Sequence, residues 1–304
     1  MGMGFSKEKA VPVLALLAGA SVWGVIWYPY RRLEQAGLSG ELAALCTYGI
    51  ALLAAVLFLA PALRGPLRQP RLLIAIGVTA GGANVAYVLA ILQGEVMRVM
   101  LLFYAAPLWT VLFSRLLLGE RLARAGWEVM LLALSGAFVM LWEPASGMPA
   151  LTGPADWLGL AAGWLFALSN VLVRKADGVG VAGKSLAALA GVAAVAGAVG
   201  GLRGSLALPD AAPAGAWGLA ALVGLALVAL TWTVQYGLSR VTANRAIVIL
   251  LFELVVAALA SYALAGERME PREWLGGALI VAASLLSGKL AGPAGSSRGS
   301  APTP

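Results

Sequence analysis

The chain has 304 residues, 61% hydrophobic and only 12% charged, with a net charge of +7, no His and one Cys. Soluble domains are roughly 45–50% apolar and about 25% charged, so a water-soluble globule, which would expose large apolar patches, is excluded. Without His there is no imidazole to serve as base, proton shuttle or metal ligand, and the single Cys46 allows neither an internal disulfide nor a thiolate metal site.

From the N-terminus, residues 1–10 place Lys7 and Lys9 ahead of an apolar run. No small-residue cleavage site follows a short apolar core, so the run reads as a retained first helix behind a cytoplasmic N-terminus. A membrane span needs roughly 20 apolar residues. Ten segments are expected to meet this: 11–30, 41–61, 71–93, 98–118, 126–142, 157–173, 185–202, 215–239, 246–265 and 273–290. The tail 291–304 is Gly, Ser, Pro and Ala around one Arg, and is expected to be disordered and cytoplasmic.

The basic residues orient these spans. With the N-terminus inside, the cytoplasmic side carries Lys7, Lys9, Arg64, Arg68, Arg71, Arg115, Arg121, Arg124, Arg174, Lys175, Lys184, Arg240, Arg245, Lys289 and Arg298. The far side keeps only Arg31, Arg32, Arg98, Arg203, Arg268 and Arg272. That excess of basic residues on one side predicts both termini in the cytoplasm and an even number of spans. The same bias accounts for the positive charge without nucleic acid.

The chain also repeats itself. One offset of 147 superposes Arg98 on Arg245, Gly119 on Gly266, Glu120 on Glu267, Arg121 on Arg268 and Trp127 on Trp274. A weaker match at 143 puts Arg31–Arg32 on Arg174–Lys175. Residues 11–142 and 157–290 would then be two five-span halves. An odd number of spans turns the second half upside down, the plan of many secondary transporters, with the substrate site near the midplane where the halves meet.

The pair Trp23–Gly24, the stretch from Pro107 to Gly119–Glu120 and the matching stretch from Glu253 to Gly266–Glu267 resemble the EamA family of the drug/metabolite transporter superfamily, over about residues 10–290. The resemblance implies an all-α membrane protein of ten helices as two inverted five-helix repeats, without cofactor or enzymatic activity. It extends to YddG-type exporters of aromatic amino acids. One position departs from it. The family often has Glu-Pro in span nine, whereas Leu254 follows Glu253, so a proline-dependent kink is expected in span four alone, with Pro107 as hinge.

Polar groups at bilayer depth are costly and mark pathways. Asn84 and Tyr87 in span three, and Thr231, Gln235 and Tyr236 in span eight, are candidates for a central cavity. Their amides and hydroxyls suit a zwitterion, donating to a carboxylate and accepting from an ammonium. Trp23, Tyr104, Trp109 and Trp164 add rings able to stack on a substrate. Trp127, Trp142, Trp157, Trp217 and Trp274 lie near span ends as interfacial anchors. Glu253, well inside span nine, is a candidate proton or ammonium site or a structural acid; Glu120 and Glu267 are expected to cap the helix that follows each.

Residues 178–185, GVGVAGKS, match the P-loop pattern, but they link two spans where no strand or soluble domain can hold a nucleotide, and no nucleotide is expected there. The expected partners are a small-molecule substrate and the lipid bilayer of a cell inner membrane, with the chain a monomer or homodimer and with no metal. The leading expectation is export of amino acids or related metabolites. The alternatives are a multidrug or lipid exporter on the same scaffold, and a membrane-embedded enzyme.

Overall fold

The computed structural model describes residues 7–59, 69–94, 96–142, 151, 153–209, 213–265 and 270–287. Every regular element among them is helical. In chain order these are α1 (Lys7–Gln35), α2 (Gly40–Leu59), α3 (Pro70–Gln93), α4 (Val96–Phe103), α5 (Ala106–Leu118) and α6 (Arg124–Leu141). Then come α7 (Pro154–Lys175), α8 (Val181–Arg203), α9 (Ala214–Leu238), α10 (Ala243–Leu250), α11 (Phe252–Ala260) with a π-helical turn at Ser261–Ala265, and α12 (Pro271–Leu286).

Among the described residues nine helical segments are long and apolar enough to cross a membrane. The outer surface is correspondingly greasy: Leu57, Phe58 and Leu285 are 76%, 73% and 81% exposed, an arrangement stable in lipid but not in water. The 16-residue α12 lies where the tenth span is expected, and residues 288–290 of that range lie outside the described residues, as do residues 1–6 and the tail.

Two of the expected spans are interrupted. Span four divides into α4 and α5 at Tyr104–Ala105, just before the buried Pro107, and span nine divides into α10 and α11 at Leu251. The second interruption corrects the expectation of a kink in span four alone. The breaks fall at matching positions, since α4 ends at Phe103 and α10 at Leu250, 147 residues on. A proline is therefore not what breaks span nine. Glu253 occupies the first turn of α11, where a carboxylate suits the free N–H groups of a new helix, and Leu254 N–H donates to the Leu251 carbonyl at 3.1 Å.

Small residues set the helix contacts. Gly77 and Gly191 bring α3 and α8 so close that a Cβ on Gly77 would lie 2.8 Å from the Ala187 carbonyl. Gly159 and Gly163 seat α7 on the backbone of α4 at Val99 and Phe103. The contacts also report direction. Gly77 meets Ala187 and Gly191 while Gly81 meets Gly191 and Val195, so α3 and α8 run parallel. In α6 and α12, Gly136 meets Ile280 while Met140 meets Gly276 and the Trp142 carbonyl accepts from Arg272, so they run antiparallel. In α2 and α8, Leu45 meets Gly197 and Glu41 pairs with Arg203, again antiparallel. The most extensive packing joins helices before residue 143 to helices after 151: α3 on α7 and α8, α6 on α12, α2 on α8 and α9, α1 on α9 and α11, and α4 and α5 on α7.

Candidate functional site

The breaks in the expected spans four and nine meet inside the helix bundle. The Tyr104 hydroxyl lies within hydrogen-bonding reach of the Glu253 carboxylate, which brings the residue after α4 to the first turn of α11. Tyr104 is buried, and Tyr87 of α3 lies close enough to feel the charge of Glu253. Phe103 completes the surroundings. Its ring centroid lies 4.9 Å from Tyr87, 5.2 Å from Tyr104 and 5.4 Å from Phe166 of α7. Among the described residues no Lys or Arg forms an ion pair with Glu253.

Two neighbours define this tier further. Gly24 of α1 lies directly on α11: a Cβ there would be 2.7 Å from the Glu253 carbonyl and 2.8 Å from Val256. Trp23–Gly24 and Glu253, quoted above as separate motif elements, thus form one helix contact. The Trp109 indole Nε1 is buried without a hydrogen-bond partner among the described residues, as is the Asn84 Oδ1, whose Nδ2 reaches Tyr48 Oη at 3.4 Å. A buried donor and acceptor left open are costly unless something else visits them. Chemically, the tier offers one carboxylate, hydroxyls and aromatic faces, a set suited to an organic ammonium.

A second polar region lies where α5, α7 and α9 end and α8 and α10 begin. Gly119 terminates α5 at φ 70, a left-handed conformation that glycine adopts freely, and the turn sends Glu120 away from its own helix. Its carboxylate accepts from the Ala243 N–H, in the first residue of α10, at 3.1 Å, with the Asn244 N–H close by. The expected role for Glu120, capping the helix after it, is corrected: α6 follows Ala123, and Glu120 caps α10 instead. Arg174 of α7 lies 3.8 Å from Glu120 and donates to the Ser239 carbonyl at 2.7 Å. Lys184 Nζ, inside the P-loop-like run, donates to Ser239 Oγ at 2.9 Å. Burial pushes the Glu120 carboxyl above its ordinary range; Arg174 and the two α10 N–H groups pull the other way and lose. The equivalent Glu267 lies outside the described residues.

The structure therefore brings together Tyr87, Tyr104 and Glu253, with Pro107 buried at the break beside them. Trp23 packs in a neighbouring cluster around Tyr48 and Leu227. Others stand apart. Trp164 shares the exposed stripe of α7 with Trp157 and meets Phe113 edge-on. Thr231 is half-buried, and the next two residues, Trp232 and Thr233, line an outward groove with Phe58 and Leu225. Gln235 is buried but lies about 13 Å beyond the middle of α9 at 1.5 Å per residue. Tyr236, one residue on, lies under the Arg240 guanidinium at 3.8 Å. Sequence reasoning missed Phe103 and Phe166; only the adjacency of Phe103 to Tyr104 hinted at the first.

A model of the EamA-like transporter family matches residues 10–142 and again residues 153–288. The chain belongs to the EamA-like transporter family. It is accordingly a multi-pass membrane protein of a transporter family, with a lipid bilayer around it and a small molecule as the class of substrate. No curated protein matches it. Among solved structures it is similar to one titled "Crystal structure of protein", at 21% identity and TM-score 0.74, covering 92% of this chain and 99% of that one. That likeness concerns the fold of this EamA-like chain alone.

Proposed function

We propose that this chain is a secondary transporter, not an enzyme, that exports amino acids, aromatic or other neutral, or related small metabolites across a cell inner membrane by alternating access. Ten spans form two inverted halves, 11–142 and 157–290, with both termini cytoplasmic, as a monomer or homodimer. The helix packing supports this plan. Exchanging each helix with its counterpart one half later turns the α3–α7 contact into α9–α1, and α3–α8 into α9–α2. The counterpart pairs α6–α12 and α2–α8 run antiparallel, as a two-fold axis in the membrane plane requires.

One observation carries the functional reading: Glu253 lies within hydrogen-bonding reach of Tyr104 where the breaks of two spans meet, close to Tyr87, without a cationic partner among the described residues. A carboxylate in that position suits the ammonium of a substrate or a proton moving the other way. Trp23, Asn84, Trp109, Thr231 and Gln235 would serve the rest of the passage, with no cofactor, metal or nucleotide, and Pro107 would be one contributor to a hinge that the break at Leu251 shares.

The test is flux in proteoliposomes with a panel of aromatic and other neutral amino acids. Exchange well above that of protein-free vesicles is expected. The second reading, a multidrug or lipid exporter, is favoured by the same unpaired carboxylate: flux of organic cations with none of the amino acids would replace the first reading with it. An aromatic-selective result would support the YddG-type assignment.

A further inference from the structure

We propose that Glu120 is a positioning residue for transport, a clasp that keeps the molecule shut at the end where α5 meets α10. The inference rests on the alternating-access reading, in whose topology this end faces the cytoplasm. A helix N-terminus leaves its first N–H groups without partners inside the helix, and a side chain immediately before the helix ordinarily supplies them. At α10 that residue is Thr242, which makes no capping bond and whose hydroxyl is buried without a partner among the described residues. The Ala243 N–H instead donates to Glu120, which comes from the other half of the chain, and the Asn244 N–H lies close to the same carboxylate.

Around this bond the two halves are tied again. Asn244 Nδ2 donates to Ser114 Oγ at 2.9 Å, with both residues almost fully buried. Arg174 approaches Glu120 from α7 and also holds the Ser239 carbonyl, which follows α9. Lys184 from the start of α8 reaches the hydroxyl of the same serine. One connected set of polar contacts therefore joins α5 to α7, α8, α9 and α10. An opening between α5 and α10 must break the Glu120 and Ser114 bonds together. Because the cap is supplied in trans, it exists only while the two halves are closed at this end.

The clasp is tested on the full-length protein in liposomes, in a Cys46→Ala background. Spin labels at Arg121→Cys and Arg240→Cys, both exposed positions outside the clasp, report the distance across this end by double electron–electron resonance. Glu120→Ala should raise the ratio of the longer-distance to the shorter-distance population about fivefold, the shift equivalent to one lost helix cap. At low pH, where the parent's Glu120 is protonated, Glu120→Gln should restore the parent distribution, because its amide oxygen still accepts from the Ala243 N–H. Unchanged distances in Glu120→Ala would overturn the proposal. So would a Glu120→Gln protein that behaves like Glu120→Ala, since the charge pair with Arg174 rather than the cap would then be responsible. Should Glu120→Ala fail to fold, Asn244→Ala cuts the Ser114 bond alone: a shift to longer distances supports the clasp, and none overturns it. The distances are read without substrate, so they stand or fall separately from the flux panel.

Discussion

Two carboxylates at junctions between the halves live in opposite surroundings. Glu120 is satisfied: two backbone N–H groups and a guanidinium face it, and every bond joins one helix to another. Glu253 has the Tyr104 hydroxyl, aromatic rings and no basic side chain paired with it among the described residues. A half-buried acid paired across helices holds structure together, because breaking a bond leaves a partly desolvated group behind. An underpaired one retains capacity for a partner that comes and goes. The difference is what supports the proposals that Glu120 holds and Glu253 binds.

Replacing Glu253 should break this contrast most. Glu253→Gln keeps the volume and the Tyr104 hydrogen bond but removes the charge. Exchange in proteoliposomes should fall by at least about tenfold, one decade being about 1.4 kcal/mol, while the protein still elutes as a folded species. Flux near the parent's would return Glu253 to a structural role.

Gly24→Ala comes next. Its Cβ would lie 2.7 Å from the Glu253 carbonyl, so α1 must move off α11. Overpacking of this kind costs about 1–3 kcal/mol, visible as a lower Tm in detergent together with reduced flux. A Tm equal to the parent's would mean that the helices separate without cost.

The pH response of the clasp is smaller and has a definite sign. Burial holds the Glu120 carboxyl above its ordinary range in the closed form, whereas an opened end exposes it to water. Proton binding therefore favours the closed form. That contribution is fully present below the ordinary carboxylate range and is lost as pH rises through the raised value. The longer-distance population between labels at positions 121 and 240 should grow with pH in the parent, while Glu120→Gln should stay flat.

The smallest effect is expected for Pro107→Ala. Span nine breaks at the position matching the break in span four without any proline, so tertiary contacts rather than the ring shape these junctions. Flux should change by less than about twofold, compared side by side in the same vesicles; a larger loss would give Pro107 the hinge role on its own.

Much of this was legible in the chain. The spans were, because crossing lipid demands long apolar helices, and that demand is local. The repeat was, because Gly119–Glu120 and Gly266–Glu267 recur at one offset. Glu253 stood out because an acid deep in an apolar run has no ordinary reason to be there. The partner of Glu120 was not legible: capping is usually local, and Ala243 is 123 residues away. Nor was the break at Leu251, since the sequence signal for a kink, a proline, is missing. Phe166 gave no local sign that it would meet Phe103.

Hydrophobic length, the basic residues beside the spans and the internal repeat thus determined a helical membrane protein built twice, each following from a rule that acts within a few turns of the chain. Which acid is tied to a backbone N–H and a guanidinium of other helices, and which is left beside hydroxyls and aromatic rings, was decided only by tertiary structure. The energy of a buried carboxylate depends on the groups that surround it in space, and here those groups come from helices far apart in the chain.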